Sequence, residues 1–126
     1  MFNKIQYRDL KAKQQENYNF AKVAAILADY GFTCLRLSDD WQGADFLAYH
    51  IDGVTTLKVQ LKGRLQIDAK YVGKSIFIAF PDGGHWYLYP HDEVIDYFLA
   101  NGRGGFFSAR SISAKHQKFM EQYKIS

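Results

Sequence analysis

Cysteine is almost absent from this sequence: Cys34 is the only one among 126 residues. An internal disulfide is therefore impossible, and a cysteine-rich zinc site is excluded with it. Cys34 lies between Thr33 and Leu35 in a strand-like run, where a buried, inert thiol is expected rather than a nucleophile. Proline is scarce too, at two residues, and there is no long apolar run. A membrane-spanning helix needs about 20 apolar residues, so no membrane span is expected. The first residues, Met1-Phe2-Asn3-Lys4, lead into polar sequence and not into a signal-peptide core, so the expected location is cytoplasmic. Charge of one sign is also lacking. The 16 Lys and Arg against 13 Asp and Glu leave a net +3, too little to mark a nucleic-acid binder by itself.

What is abundant is aromatic. Ten Phe, nine Tyr and two Trp make up 17% of the chain, so the core should rest on large rings whose Tyr and Trp tips need polar partners. With 48% hydrophobic and 23% charged residues, the composition is that of a folded protein. The length fits one domain over residues 1–126. The cations are unevenly spread. Lys58, Lys62, Arg64, Lys70 and Lys74 stand against Asp68 alone, and Arg103, Arg110, Lys115, Lys118 and Lys124 against Glu121 alone. Such segments suit phosphate contact, although a solvated surface reads the same way.

From Gln14 to Tyr30, apolar residues recur at helical spacing (Phe20, Val23, Ala24, Leu27, Ala28), and Gly31 is a natural stop. The same stripe carried back four residues lands on Glu16. That carboxylate either favours the dipole of the first turn or points into a pocket beside the sheet. Thr33 to Leu37 reads as a strand, followed by a polar loop with Asp39, Asp40, Gln42 and Gly43. Two β-rich runs then flank Asp52-Gly53, a strong signal for a two-residue hairpin turn. That turn sets Tyr49 opposite Thr56, Leu47 opposite Lys58, and Asp45 opposite Gln60. Opposed residues share a face with Cβ atoms about 4.5–5.5 Å apart, and strand alternation adds Lys62 to it. Phe46, Ala48, Leu57, Val59 and Leu61 form the other, core-facing side. An acid, an amide and an ammonium thus gather at one end of a hairpin.

Beyond a basic linker, Ser75–Phe80 and His85–Tyr89 read as two more strands joined through Pro81-Asp82-Gly83-Gly84. A helix over Asp92–Ala100 should turn Val94, Ile95, Phe98 and Leu99 inward. Asn101 to Gly105 breaks the chain, and Ser113 caps a last helix over Ala114–Tyr123. Trp86, Tyr87 and Tyr89 serve either as core or as platforms for bases. The four histidines, His50, His85, His91 and His116, show no metal-ligand spacing.

This order of elements, with Gly43-Ala44-Asp45 and Val59-Gln60-Leu61-Lys62, resembles the PD-(D/E)xK phosphodiesterase superfamily over roughly Gln14 to Tyr89. The resemblance implies an α/β fold of restriction endonuclease type, with a central mixed β-sheet of about five strands flanked by helices. It implies a Mg²⁺- or Mn²⁺-dependent nuclease acting on DNA. Asp45 and Gln60 would be metal ligands, Lys62 the residue that positions or activates water, and Glu16 the helix carboxylate. Lys58, Arg64, Lys70, Lys74 and Arg103 are the candidate nucleic-acid contacts. A homodimer is expected from the resemblance alone. Ala44 stands where the motif is named for proline, and Gln60 where an acid is usual. The second departure keeps an alternative open: a catalytically inactive nuclease fold that binds nucleic acid or protein.

Overall fold

The helical stripe that ends at Gly31 becomes the longest helix among the described residues. The structure is a computed structural model that describes residues 1–102, 106–109 and 112–126. In chain order it contains α1 (Ala12–Ala28), β1 (Phe32–Trp41), β2 (Ala44–His50), β3 (Thr56–Leu61), β4 (Leu65–Ile67), β5 (Ile76–Asp82), β6 (His85–Pro90), α2 (His91–Ala100), β7 (Phe107–Ala109) and α3 (Ala114–Met120), with short 3-10 turns at Tyr7–Asp9, Ala69–Tyr71 and Glu121–Tyr123. Five strands form one sheet in the order β1-β2-β3-β5-β6. β3 and β5 run parallel, and the other neighbours are antiparallel. The expected α/β architecture, a five-stranded mixed sheet flanked by helices, is therefore present. No helix among the described residues is long and apolar enough to cross a membrane.

Each face of the sheet buries its own apolar layer. On one side, Val23 and Leu27 of α1 pack with Phe46, Ala48, Val59, Ala79 and Trp86. On the other, Ile76, Ile78, Phe80 and Tyr89 pack beneath Leu65, Ile67, Tyr71, Val94, Phe98 and Met120. Strand alternation assigns the faces, because successive side chains point opposite ways. Tyr89 meets its polar need as a buried tyrosine should. Its hydroxyl donates to Gln66 O at 2.7 Å and accepts from Gln66 N at 3.3 Å. The outer edge of β6 is lined by Lys124–Ser126: Ile125 N donates to Trp86 O, and Trp86 N donates to the Ser126 hydroxyl. Tyr30 ties this tail to the end of α1 by donating to Ile125 O at 2.8 Å.

The hairpin register is as expected: Tyr49 faces Thr56, Leu47 faces Lys58, and Phe46 faces Val59. The turn differs. Asp52-Gly53 sits within a four-residue loop closed by His50 N donating to Thr55 O. The Asp52 carboxylate takes the N–H groups of Val54 and Thr55 together with the Thr55 hydroxyl, so Val54 cannot ladder with Ile51. Ile51 N donates to Gly31 O instead. The loop grew by one residue on each side, so the pairing was preserved. The tight two-residue turn lies at the opposite end of β2, at Gln42 and Gly43, both with positive φ. Asp39 and Asp40 consequently belong to β1 and not to a loop.

Other departures are smaller. The basic linker contains β4, which pairs with β7 as a separate two-stranded ribbon. Leu99, expected inward, is 55% exposed, because α2 points Val94 and Phe98 at the sheet and carries Leu99 to the far side. Cys34 is only partly buried, and burial still raises its thiol above the usual range.

Candidate active site

Asp45 owes its position to a glycine. Gly43 has φ +88°, and a Cβ there would meet Ile76 Cδ1 at 3.0 Å and Tyr71 Cδ1 at 3.3 Å. Only glycine allows the β1–β2 turn to press this closely on β5 and the 3-10 turn. The chain leaves it through fully buried Ala44 and presents Asp45 one step beyond the last ladder pair, Phe46–Val59. There the Asp45 carboxylate replaces a backbone acceptor, and Leu61 N donates to Oδ2 at 2.9 Å. Lys62 N meanwhile donates to Ala79 O at 2.9 Å, which holds the end of β3 against β5.

Gln60 lies on the same face, next to Ile78 across the parallel pair. Its amide nitrogen donates to Leu61 O at 3.4 Å. Its carbonyl oxygen, Oε1, is buried with no hydrogen-bond partner. Nearly all buried polar atoms are satisfied, and an orphan costs about 1–3 kcal/mol. Lys62 is half-buried with its ammonium 5.3 Å from the centre of the Tyr71 ring, and Lys70 lies 5.3 Å from the same ring. Cations over an aromatic face are attracted by its quadrupole, so Tyr71 acts as a platform for both.

The site is a cleft of about 350 Å³ at the end of β3, and Glu16, Asp45, Gln60 and Lys62 all line it. Lys13, Arg36 and Asp40 line it as well. Glu16 is at the rim rather than enclosed: its side chain is 62% exposed, 3.4 Å from Lys13 and 3.7 Å from Arg36. Arg36 also donates to the Asn17 side chain. Glu16 thus borders the pocket without being buried in it, and it lies beyond the first turn of α1, which carries no acid.

The electrostatics are those of a charged set taken partly out of water. Burial raises the Asp45 carboxyl above its ordinary range, and the Leu61 N–H and the Lys62 charge only partly offset this. Burial also lowers the Lys62 ammonium, helped by nearby Lys70 and opposed by Asp45, Asp68 and Asp40. Desolvation likewise raises the Tyr71 hydroxyl, reinforced by the charges of Asp68, Asp45 and Asp40.

Among the described residues, no group of three His, Cys, Asp or Glu side chains could hold a metal ion. A hard cation such as Mg²⁺ asks for less. It keeps several waters and takes one or two carboxylates. One carboxylate beside an unpartnered carbonyl oxygen fits that requirement, and this donor set is oxygen throughout.

No family model and no curated protein matches the chain. Among solved structures, it is similar to a bacterial homing endonuclease, I-Ssp6803I. The TM-score is 0.50 at 17% identity, covering 91% of this chain and 88% of that one. At that identity the likeness is one of fold.

The expected nucleic-acid contacts are dispersed. Lys58 donates to Gln42 at 3.0 Å and lies over the Trp41 ring on the open face of the sheet. Lys70 shares Tyr71 with Lys62, Lys74 is exposed in the crossover, and Arg64 lines a different cavity. Arg103 lies outside the described residues, as do Gly104, Gly105 and Arg110. Tyr71, Lys13, Arg36 and Asp40 are neighbours of the site that sequence reasoning missed. Lys13 and Arg36 had a faint signal, an i,i+3 partner for Glu16 and a lone cation inside an apolar strand. Tyr71 had none, because its segment reads only as a basic linker.

Proposed function

We propose that this chain is a metal-dependent endonuclease of PD-(D/E)xK type that hydrolyses phosphodiester bonds of DNA. The observation that carries the reading is the buried, unpartnered Oε1 of Gln60, a residue that lines the cleft with Asp45 and Lys62. A buried carbonyl oxygen without a donor, next to a carboxylate pushed up by burial, is a pair of acceptors that a cation would satisfy. A fold shared with an endonuclease supports the reading further.

Asp45 and Gln60 would hold the cation, with Glu16 as a second negative charge at the rim. When bound, Mg²⁺ or Mn²⁺ supplies Lewis acidity toward a phosphoryl oxygen and lowers the pKa of adjacent water. Lys62, held over Tyr71, orients the attacking water through Nζ and stabilises negative charge as it develops. The Leu61 N–H fixes Oδ2 of Asp45 at the cleft. Lys58, Arg64, Lys70, Lys74 and Arg103 are assigned to the phosphate backbone.

Purified protein incubated with plasmid, linear and branched DNA should cleave in Mg²⁺ or Mn²⁺ and not in EDTA. Cleavage that survives both Asp45→Ala and Lys62→Ala would overturn the site assignment. A second reading follows from one specific feature: Gln60 brings no charge where an acid is usual. On that reading the fold binds DNA or protein without cutting. Calorimetric titration separates the two, since absence of Mg²⁺ binding at millimolar metal favours the inactive module. Cleavage gained by Gln60→Glu would then locate where activity was lost.

A further inference from the structure

We infer that a second cavity, beside the cleft, is a subsite for an unpaired nucleotide of the strand being cut, which makes DNA with unpaired bases the substrate class. The inference rests on the nuclease reading of the cleft. The cavity is about 560 Å³, larger than the cleft and within the range that holds small organic ligands. Gly63 lines both. Lys62, on one side of that glycine, faces the cleft, and Arg64, on the other, faces the cavity. Successive Cα atoms are about 3.8 Å apart, so the two cations are attached within one or two nucleotide rises of about 3.4 Å. A strand with its scissile phosphate at Lys62 therefore has its neighbouring nucleotide within reach of the Arg64 side chain.

The lining has the chemistry for a base. Phe80 and Tyr87 are stacked, with centroids 5.1 Å apart and planes at 15°. Trp86 and Tyr89 are buried, whereas Tyr87 is partly exposed and borders the cavity. A base stacks on such a ring whatever its identity. Arg64 lines the cavity, and its planar guanidinium suits a phosphate or the other side of a base. Asp82 and Gln117 supply an acceptor and an amide toward a base edge. A paired base cannot use this site, because its faces are stacked and its edge is occupied. An unpaired base has little to give up on entering.

The test is fluorescence anisotropy in EDTA with a labelled duplex, fully paired or carrying a single-nucleotide bulge. The wild type should prefer the bulged duplex by roughly tenfold, a modest yield for one base–aromatic stack. Tyr87→Leu removes the stacking face, and Gln117→Leu, at an exposed helix position, removes the amide offered to the base edge. Each should bring the ratio close to one. A partly unfolded preparation lowers both affinities together and leaves their ratio alone. A wild-type ratio near one, or a ratio unchanged in both variants, overturns the subsite. Free deoxynucleoside monophosphates should not compete below millimolar concentration, and tight competition would overturn the strand-linked reading. Because no metal is present, the ratio is independent of cutting. A high ratio without Mg²⁺-dependent cleavage keeps the subsite and rejects the nuclease, and cleavage with a ratio near one does the reverse.

Discussion

One face of the central sheet is made of two unlike halves that meet along the β3–β5 seam. On β5 and β6, Ile76, Ile78, Phe80 and Tyr89 are covered by the β4–β7 ribbon, α2 and α3. On β2 and β3 the same face carries Leu47, Tyr49, Lys58 and Gln60, and Tyr49 is 44% exposed. Across the seam, Lys58 pairs with Ile76 and Gln60 with Ile78. The covered half stabilises the fold by hiding apolar surface. The open half places polar groups where the cover ends, half-buried and incompletely satisfied. Stability and the proposed chemistry thus fall to neighbouring strands of one layer.

Breaking the open half should affect the reaction and spare the fold. Lys62→Ala is expected to slow cleavage by roughly 10²–10⁴-fold in single-turnover kinetics, with little change in the urea midpoint. The covered half should respond the other way. Phe98→Ala empties a fully packed position and should cost about 3–5 kcal/mol in urea unfolding; a loss below about 1 kcal/mol would erase the proposed division of labour. The most diagnostic change is Gln60→Leu. Replacing an amide whose carbonyl oxygen is buried without a partner, and whose nitrogen makes only the long 3.4 Å bond to Leu61 O, by an apolar group of similar shape should stabilise the metal-free protein by about 1 kcal/mol. The same variant should lose the rise in melting temperature expected of the wild type in Mg²⁺ on the proposed metal site. A destabilised Gln60→Leu protein would mean that the Gln60 carbonyl oxygen is satisfied.

The smallest effect belongs to the tip of the open half. The Asp52 carboxyl is lowered to about 2 by the Thr55 hydroxyl and by the N–H groups of Thr55 and Val54. Its folded pKa is below the unfolded value near 3.9, so its contribution is present above that value and is lost as pH falls toward 2. Asp52→Asn should therefore melt below the wild type at neutral pH, with the gap closing in acid. A gap that stays constant with pH would assign the loop's stability elsewhere.

Much of this was legible because strand alternation and hairpin pairing are local rules. Asp45, Gln60 and Lys62 could be placed on one face from the spacing around Asp52-Gly53, even though the turn itself is longer. The reading survived because Asp52 lengthened the loop symmetrically. Glu16 was found by helical periodicity, but its exposure was not, since that depends on Lys13 and on Arg36 from another strand. Tyr71 and the ribbon lay out of reach for the same reason. β4 exists only by pairing with β7 some 40 positions away, and nothing within its own three residues announces it.

The tail along β6 has a consequence for self-association. A sheet's free edges are templates for further strands, and Lys124–Ser126 already occupies part of one of them. Among the described residues β1 has no strand partner on its outer side. Growth of the sheet by another copy therefore meets the less obstructed edge at β1. Two copies joined β1 to β1 about a twofold axis leave only the partly covered β6 edges outward, so assembly by this route favours a pair over a fibre.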